Sequence, residues 1–159
     1  MATQLSNFNK WIDDYDAEPM EPTGEALVGK DLFNGKGCLL CHSKDGPTSL
    51  TVRSQQRDAF MQGDPVVPGP NLNHFATRTT MGAGIMPLTE SNLEAWLSDP
   101  DSVKPGNRMS ELASVYDDPA QAMNADEISA LAAYLLTLRP EVAIVPTPTS
   151  ETNLTLTSA

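Results

Sequence analysis

Apolar positions fall at helical spacing in three stretches of the chain. Gly29 and Phe33 lie four apart within residues 24–34, so they share a face. Leu93, Trp96 and Leu97 form an i, i+3, i+4 stripe within 90–98. Ile128, Leu131, Leu135 and Leu138 line one side of 125–138. Each stretch carries punctuation. Thr23, Thr89 and the Asn124–Glu127 capping-box pair predict the starts. Gly35 and Gly37, Pro100, and Arg139-Pro140 predict the ends.

Between these stretches, Ser43–Pro68 is polar and broken by Pro and Gly, with one short helix predicted near Arg53–Met61. Gly69-Pro70-Asn71-Leu72 predicts a turn, and Asp101–Arg108 a loop. Residues 1–22 read as an acidic extended arm with Phe8, Trp11 and Tyr15 as apolar anchors. Residues 141–159, rich in Thr and Pro, read as a second extended tail. No internal repeat is present. The expectation is an all-α domain of three to five helices over 23–140, with an arm at each end.

Composition narrows the function. The chain has 159 residues, 40% of them hydrophobic, which suits one domain with a small core. A net charge of −11 excludes the basic footprint of a nucleic-acid binder and electrostatic docking on anionic lipid. Residues 1–21 hold five acids against one lysine, so much of the excess sits at an end. That charge suits solubility or a basic docking partner, and both readings stay open. No apolar run reaches the ~18 residues of a membrane span.

The strongest chemical signal is Cys38-Leu39-Leu40-Cys41-His42. Two thiols three positions apart, followed at once by a histidine, form a c-type haem attachment pattern. The thiols each bond one vinyl-derived carbon, and His42 is then the proximal iron ligand. A redox Cys-x-x-Cys is disfavoured because no βαβ pattern surrounds it. A structural zinc site needs four ligands, and the chain has two cysteines and two histidines. Covalent haem attachment implies export to a periplasm-like space. Residues 1–20 lack the apolar segment of a signal peptide, so the export signal is expected to be processed away or to lie outside this sequence.

The iron's sixth position suits a methionine thioether. Met61, Met81, Met86 and Met109 are placed to compete for it, and Lys104-Pro105-Gly106 favours Met109 as a stiff turn just ahead of it.

These residues resemble class I mono-haem cytochrome c. The resemblance covers roughly 24–139. Gly29 and Phe33 match the family's Gly-x-x-x-aromatic helix before Cys-x-x-Cys-His. Gly69-Pro70-Asn71-Leu72 matches its Gly-Pro-Asn-Leu, and Arg78 its basic residue seven positions after that Asn. Leu93, Trp96, Leu97, Pro100, Pro105, Gly106 and Met109 match its distal motif in spacing, and Tyr134 its C-terminal helix aromatic.

The resemblance implies a small cytochrome c fold around one haem c, covalent through Cys38 and Cys41, with His42 and Met109 as axial ligands. It implies that the Pro70 carbonyl holds the other His42 ring nitrogen. It further implies that Arg78 binds a propionate, that Asn107 makes a second propionate or backbone contact, and that Trp96 lines the pocket beside Met109. His74 is expected to be an ordinary residue after the turn, since Met109 has the ligand spacing and His74 does not.

Residues 71–84 and 92–106 are similar to the haem domain of bacterial cytochrome c oxidase subunit II. They are also similar to the mono-haem cytochrome subunit of alternative complex III. This implies one-electron transfer by a non-enzymatic subunit or domain of a membrane respiratory complex. The expected location is periplasmic or on the outer face of the cytoplasmic membrane, and the partners are redox proteins. A freely diffusing carrier and a haem-based ligand sensor are the alternatives.

Overall fold

The computed structural model describes residues 9, 19–42, 44 and 69–139. Helix α1 (Glu25–Gly35) and the last helix among the described residues, α6 (Ala125–Leu135), cross at Gly29. The missing side chain of Gly29 lets the two backbones approach. Phe33 then meets Tyr134 edge to face, with ring centroids 5.7 Å apart. Helix α2 (Glu90–Ser98) packs on α6 through Leu93 and Leu97, which are buried with Leu131, Leu135 and Leu138.

Three one-turn helices link α2 to α6: α3 (Pro100–Val103), α4 (Arg108–Leu112) and α5 (Ser114–Asp117). Six helices among the described residues exceed the expected three to five because of these short ones. The fold class is all-α, as expected, with a small two-stranded ribbon: β1 (Thr80–Met81) pairs antiparallel with β2 (Met86–Pro87). Strands of two residues carry no alternation, so the sequence could not announce them. Their connection, Gly82-Ala83-Gly84, holds φ at 63°, 68° and 88°. An L-residue in the middle of such a run is strained.

Local chemistry explains most helix ends. The Thr89 hydroxyl accepts from Asn92 N–H at 3.2 Å. Asn124 and Glu127 form the full capping box. Thr23, predicted as a cap, does not serve: Gly24 is the N-cap, at φ 56° and ψ −128°, and no side chain caps there.

Pro100 ends α2 but also opens α3, where the predicted loop was to begin. The Asp99 carboxylate accepts from Asp101 and Ser102 N–H at 3.1 Å each, and proline at the first helical position sacrifices no hydrogen bond. Helix α6 stops at Leu135, three residues short of the prediction. Leu138 N–H donates to Leu135 in a tighter turn, and Leu138 stays buried.

Ahead of α1, Met20 N–H donates to the Arg139 carbonyl, just after α6, at 3.0 Å. The expectations for Phe8, Trp11 and Tyr15, for the short helix near 53–61 and for the tail at 141–159 lie outside the described residues. Among the described residues, no helix is long and apolar enough to cross a membrane.

Candidate cofactor site

The residues with the strongest sequence signal follow α1 directly. Gly37, at φ 79°, turns the chain into a single 3-10 turn, Cys38–Leu40. His42 N–H donates to the Cys38 carbonyl at 2.9 Å. Residues i and i+3 eclipse in such a turn, which brings the two cysteines to one side. They are not joined in a disulfide. Burial pushes the Cys38 thiol up to about 11, with Cys41 adding to the shift.

His42 is held by the predicted turn. Its Nδ1 lies 2.8 Å from the Pro70 carbonyl. Since that oxygen only accepts, Nδ1 carries the proton and Nε2 keeps its lone pair. Burial holds the imidazole below its ordinary pKa, against the raising effect of the Pro70 bond. Gly69 packs against the ring: a Cβ there would stand 2.6 Å from both Cε1 and Nδ1 of His42.

Met109 lies on α4, whose start is heavily braced. Asp101 accepts from Gly106 N–H at 2.8 Å, and Gly106 takes φ 74°. Asn107 Oδ1 accepts from Ser110 N–H at 3.0 Å, while its Nδ2 donates to the Lys104 carbonyl at 2.9 Å. Asn107 thus makes backbone contacts at the mouth of the site. Trp96 is half-buried on α2, with its ring against the ribbon connection at Gly82.

All eight predicted site residues, Cys38, Cys41, His42, Pro70, Arg78, Trp96, Asn107 and Met109, line one cavity of about 760 Å³. That size falls within the ~300–1,000 Å³ range of cofactor pockets. Its remaining walls are largely apolar, with Phe33, Leu72, Phe75, Leu93, Leu97 and Leu131 among them. His74 is not one of its lining residues. It sits at φ 54° before the 3-10 turn Phe75–Thr77.

Met81 and Met123 also line the cavity, so position alone does not single out Met109. Met61 lies outside the described residues. Among the described residues, no three His, Cys, Asp or Glu side chains gather as metal ligands. A flat apolar group with one covalent edge, an imidazole donor and a thioether donor fits this set of residues; a metal ion held by protein ligands alone does not.

Tyr116 and the 82–84 connection were not anticipated as lining residues. Tyr116 Oη donates to the Leu97 carbonyl at 3.1 Å, and burial pushes its phenol well above the ordinary range. It sits on a one-turn helix without periodicity, so the sequence carried no signal for it. Gly-Ala-Gly at 82–84 is a turn signal that the sequence analysis did not use.

A family model described as Cytochrome c matches residues 26–139. The chain is 35% identical over 136 residues to "Cytochrome c oxidase subunit 2" of Bacillus sp. (strain PS3), covering 84% of this chain and 32% of that protein. It is 34% identical over 116 residues to the protein of the same description from Bacillus subtilis (strain 168), covering 73% of this chain and 27% of that one. A third, from Alkalihalophilus pseudofirmus (strain ATCC BAA-2126 / JCM 17055 / OF4), is 30% identical over 141 residues, covering 87% and 33%. The chain spans about a third or less of the length of these relatives.

Proposed function

Because the chain belongs to the cytochrome c family, we propose that it is a one-electron transfer domain carrying a single haem c, covalent through the Cys38 and Cys41 thioethers. The observation that carries the reading is the convergence of Cys38, Cys41, His42 and Met109 on one apolar cavity, with His42 Nδ1 already taken by Pro70. When bound, haem c supplies an iron that passes between Fe(II) and Fe(III).

The chain's own residues set the terms of that exchange. His42 offers Nε2, and the Pro70 carbonyl fixes its tautomer and raises its basicity. Met109 offers a soft, neutral sulfur, which favours the reduced state. His42 and Met109 would hold the iron between them and leave it no open position for a substrate, which suits a carrier of electrons. The apolar walls exclude water and keep the local dielectric low. Arg78 and Asn107 line the same cavity and would offer N–H groups to the haem carboxylates. Trp96 lines the same cavity as Met109.

The partners are the redox proteins of a membrane respiratory complex, of the cytochrome c oxidase or alternative complex III type, with electrons passing towards a terminal oxidase. The domain works on the periplasmic or outer face of the cytoplasmic membrane. The similarity to oxidase subunits supports this placement over a freely diffusing carrier.

Expression through an export route with haem-attachment machinery tests the cofactor. The expected product is coloured and keeps one haem on the polypeptide after denaturation. A colourless protein, or haem lost on unfolding, overturns the reading. Isolation of the native protein tests the partner: co-purification with membrane oxidase subunits is expected. Release as a lone soluble protein by mild salt returns the diffusing carrier. Rapid, complete carbon monoxide binding by the reduced protein returns the sensor.

A further inference from the structure

The Pro70 carbonyl that holds His42 is itself fixed from both sides. On one side, Gly69 N–H donates to the Cys41 carbonyl at 2.8 Å. On the other, Asn71 is tied twice: its Oδ1 accepts from Asn73 N–H at 2.7 Å, and its carbonyl accepts from Arg78 Nη2. The proline ring locks φ at position 70. Few soft torsions are left between Gly69 and Leu72 to swing the Pro70 oxygen.

Arg78 is seated for this task, with its guanidinium carbon 5.3 Å from the centroid of the buried Phe75 ring. A planar fork can lie over an aromatic face and still present an edge N–H to a carbonyl. An ammonium on a flexible stem is a hydrated point charge and does not hold both contacts together.

From this chain of contacts we infer that Arg78 is a positioning residue for His42: by holding Asn71 it aims the Pro70 carbonyl and so fixes the imidazole's rotation and hydrogen bond. The inference rests on the reading of His42 as the iron ligand and deepens it. It is separate from any carboxylate partner of Arg78, because the fork has further N–H groups to spare.

Charge and brace predict different outcomes for the same substitutions. If Arg78 acts only as a positive charge beside a carboxylate, Arg78→Lys changes nothing and Arg78→Gln lowers the reduction potential. If Arg78 is a brace, Arg78→Lys loosens the Nδ1–H···O bond although the charge is kept. A less basic imidazole then raises the potential.

The test uses the reduced holoprotein labelled with nitrogen-15 histidine. The rate of His42 Nδ1–H exchange with water is read beside the potential. Exchange in Arg78→Lys is expected to be about tenfold faster than in wild type, the loss of one charged hydrogen bond, with the potential raised. Phe75→Leu removes the ring under the guanidinium and is expected to shift both readouts the same way by a smaller factor. Wild-type values in both variants overturn the brace. A wild-type His42 Nε2 without the shift of a metal-bound nitrogen overturns the parent reading and the brace together.

Discussion

Gly29 meets Ala130 at the crossing of α1 and α6 with no room for a methyl group. A Cβ on Gly29 would stand 1.9 Å from the Ala130 carbonyl oxygen and 2.7 Å from the Tyr134 Cβ. Both obstacles belong to the core of α6, not to a flexible side-chain end. Replacing Gly29 with alanine gains up to about 1 kcal/mol of helix propensity, yet it must push the two helices apart. The expected net result is a loss of about 2 kcal/mol or more, read as a lower urea midpoint at unchanged slope.

Met109 and Met81 both border the cavity, but they differ in setting. Met81 is buried in the core on strand β1 of the ribbon, whereas Met109 is half-buried behind the braced turn. Met109→Leu keeps the volume and removes the donor sulfur. The reduction potential is expected to fall on the order of 100 mV, a fraction of the ~0.8 V range that axial ligands span. Carbon monoxide binding by the reduced protein should become rapid. Met81→Leu is expected to leave the axial spectrum unchanged. Reversed outcomes would move the distal ligand to Met81.

Gly69 tests the other side of the site. A Cβ at 2.6 Å from the His42 ring cannot be accommodated unless the imidazole or the turn shifts. Gly69→Ala is therefore expected to disturb the Nδ1–Pro70 bond. Haem-binding yield should fall, or the proximal spectrum should change, with helix content measured by circular dichroism close to wild type. An unaltered spectrum would show that the ring has slack.

Acid stability should carry the signature of Glu127. Its carboxylate is held below the ordinary glutamate range, first by the Asn124 backbone N–H at 2.9 Å and then by Lys36, whose Nζ lies 3.5 Å away. Lys36 also donates to the carbonyls of Gln121 and Ala122, joining the end of α1 to the start of α6. With the folded-state pKa depressed, the group's contribution is full above the unfolded-state pKa and disappears as pH falls through the lower folded value. Glu127→Gln keeps a side chain able to accept from Asn124 but abolishes the titration. Unfolding measured across the acid range should show a shallower acid limb for this variant. An identical limb would assign the acid sensitivity to other carboxylates.

Sequence by itself determined whatever depends on near neighbours along the chain. The haem-attachment pattern at 38–42, the cap at Thr89, the Asn124–Glu127 box and the faces of α1, α2 and α6 all rest on residues within a turn or so of one another, where spacing is geometry. Local signals misled where two of them competed. Thr23 lost the cap to Gly24, whose left-handed φ a threonine does not readily adopt, and Pro100 served as the start of α3 because the Asp99 carboxylate was there to receive its free N–H groups.

Only the tertiary structure decided which distant groups share the cavity. It set Gly69 against His42 and brought Tyr116 to the end of α2. Each of those contacts depends on how three helices close around a common core. That closure follows from the summed burial of side chains far apart in sequence, which no local pattern encodes.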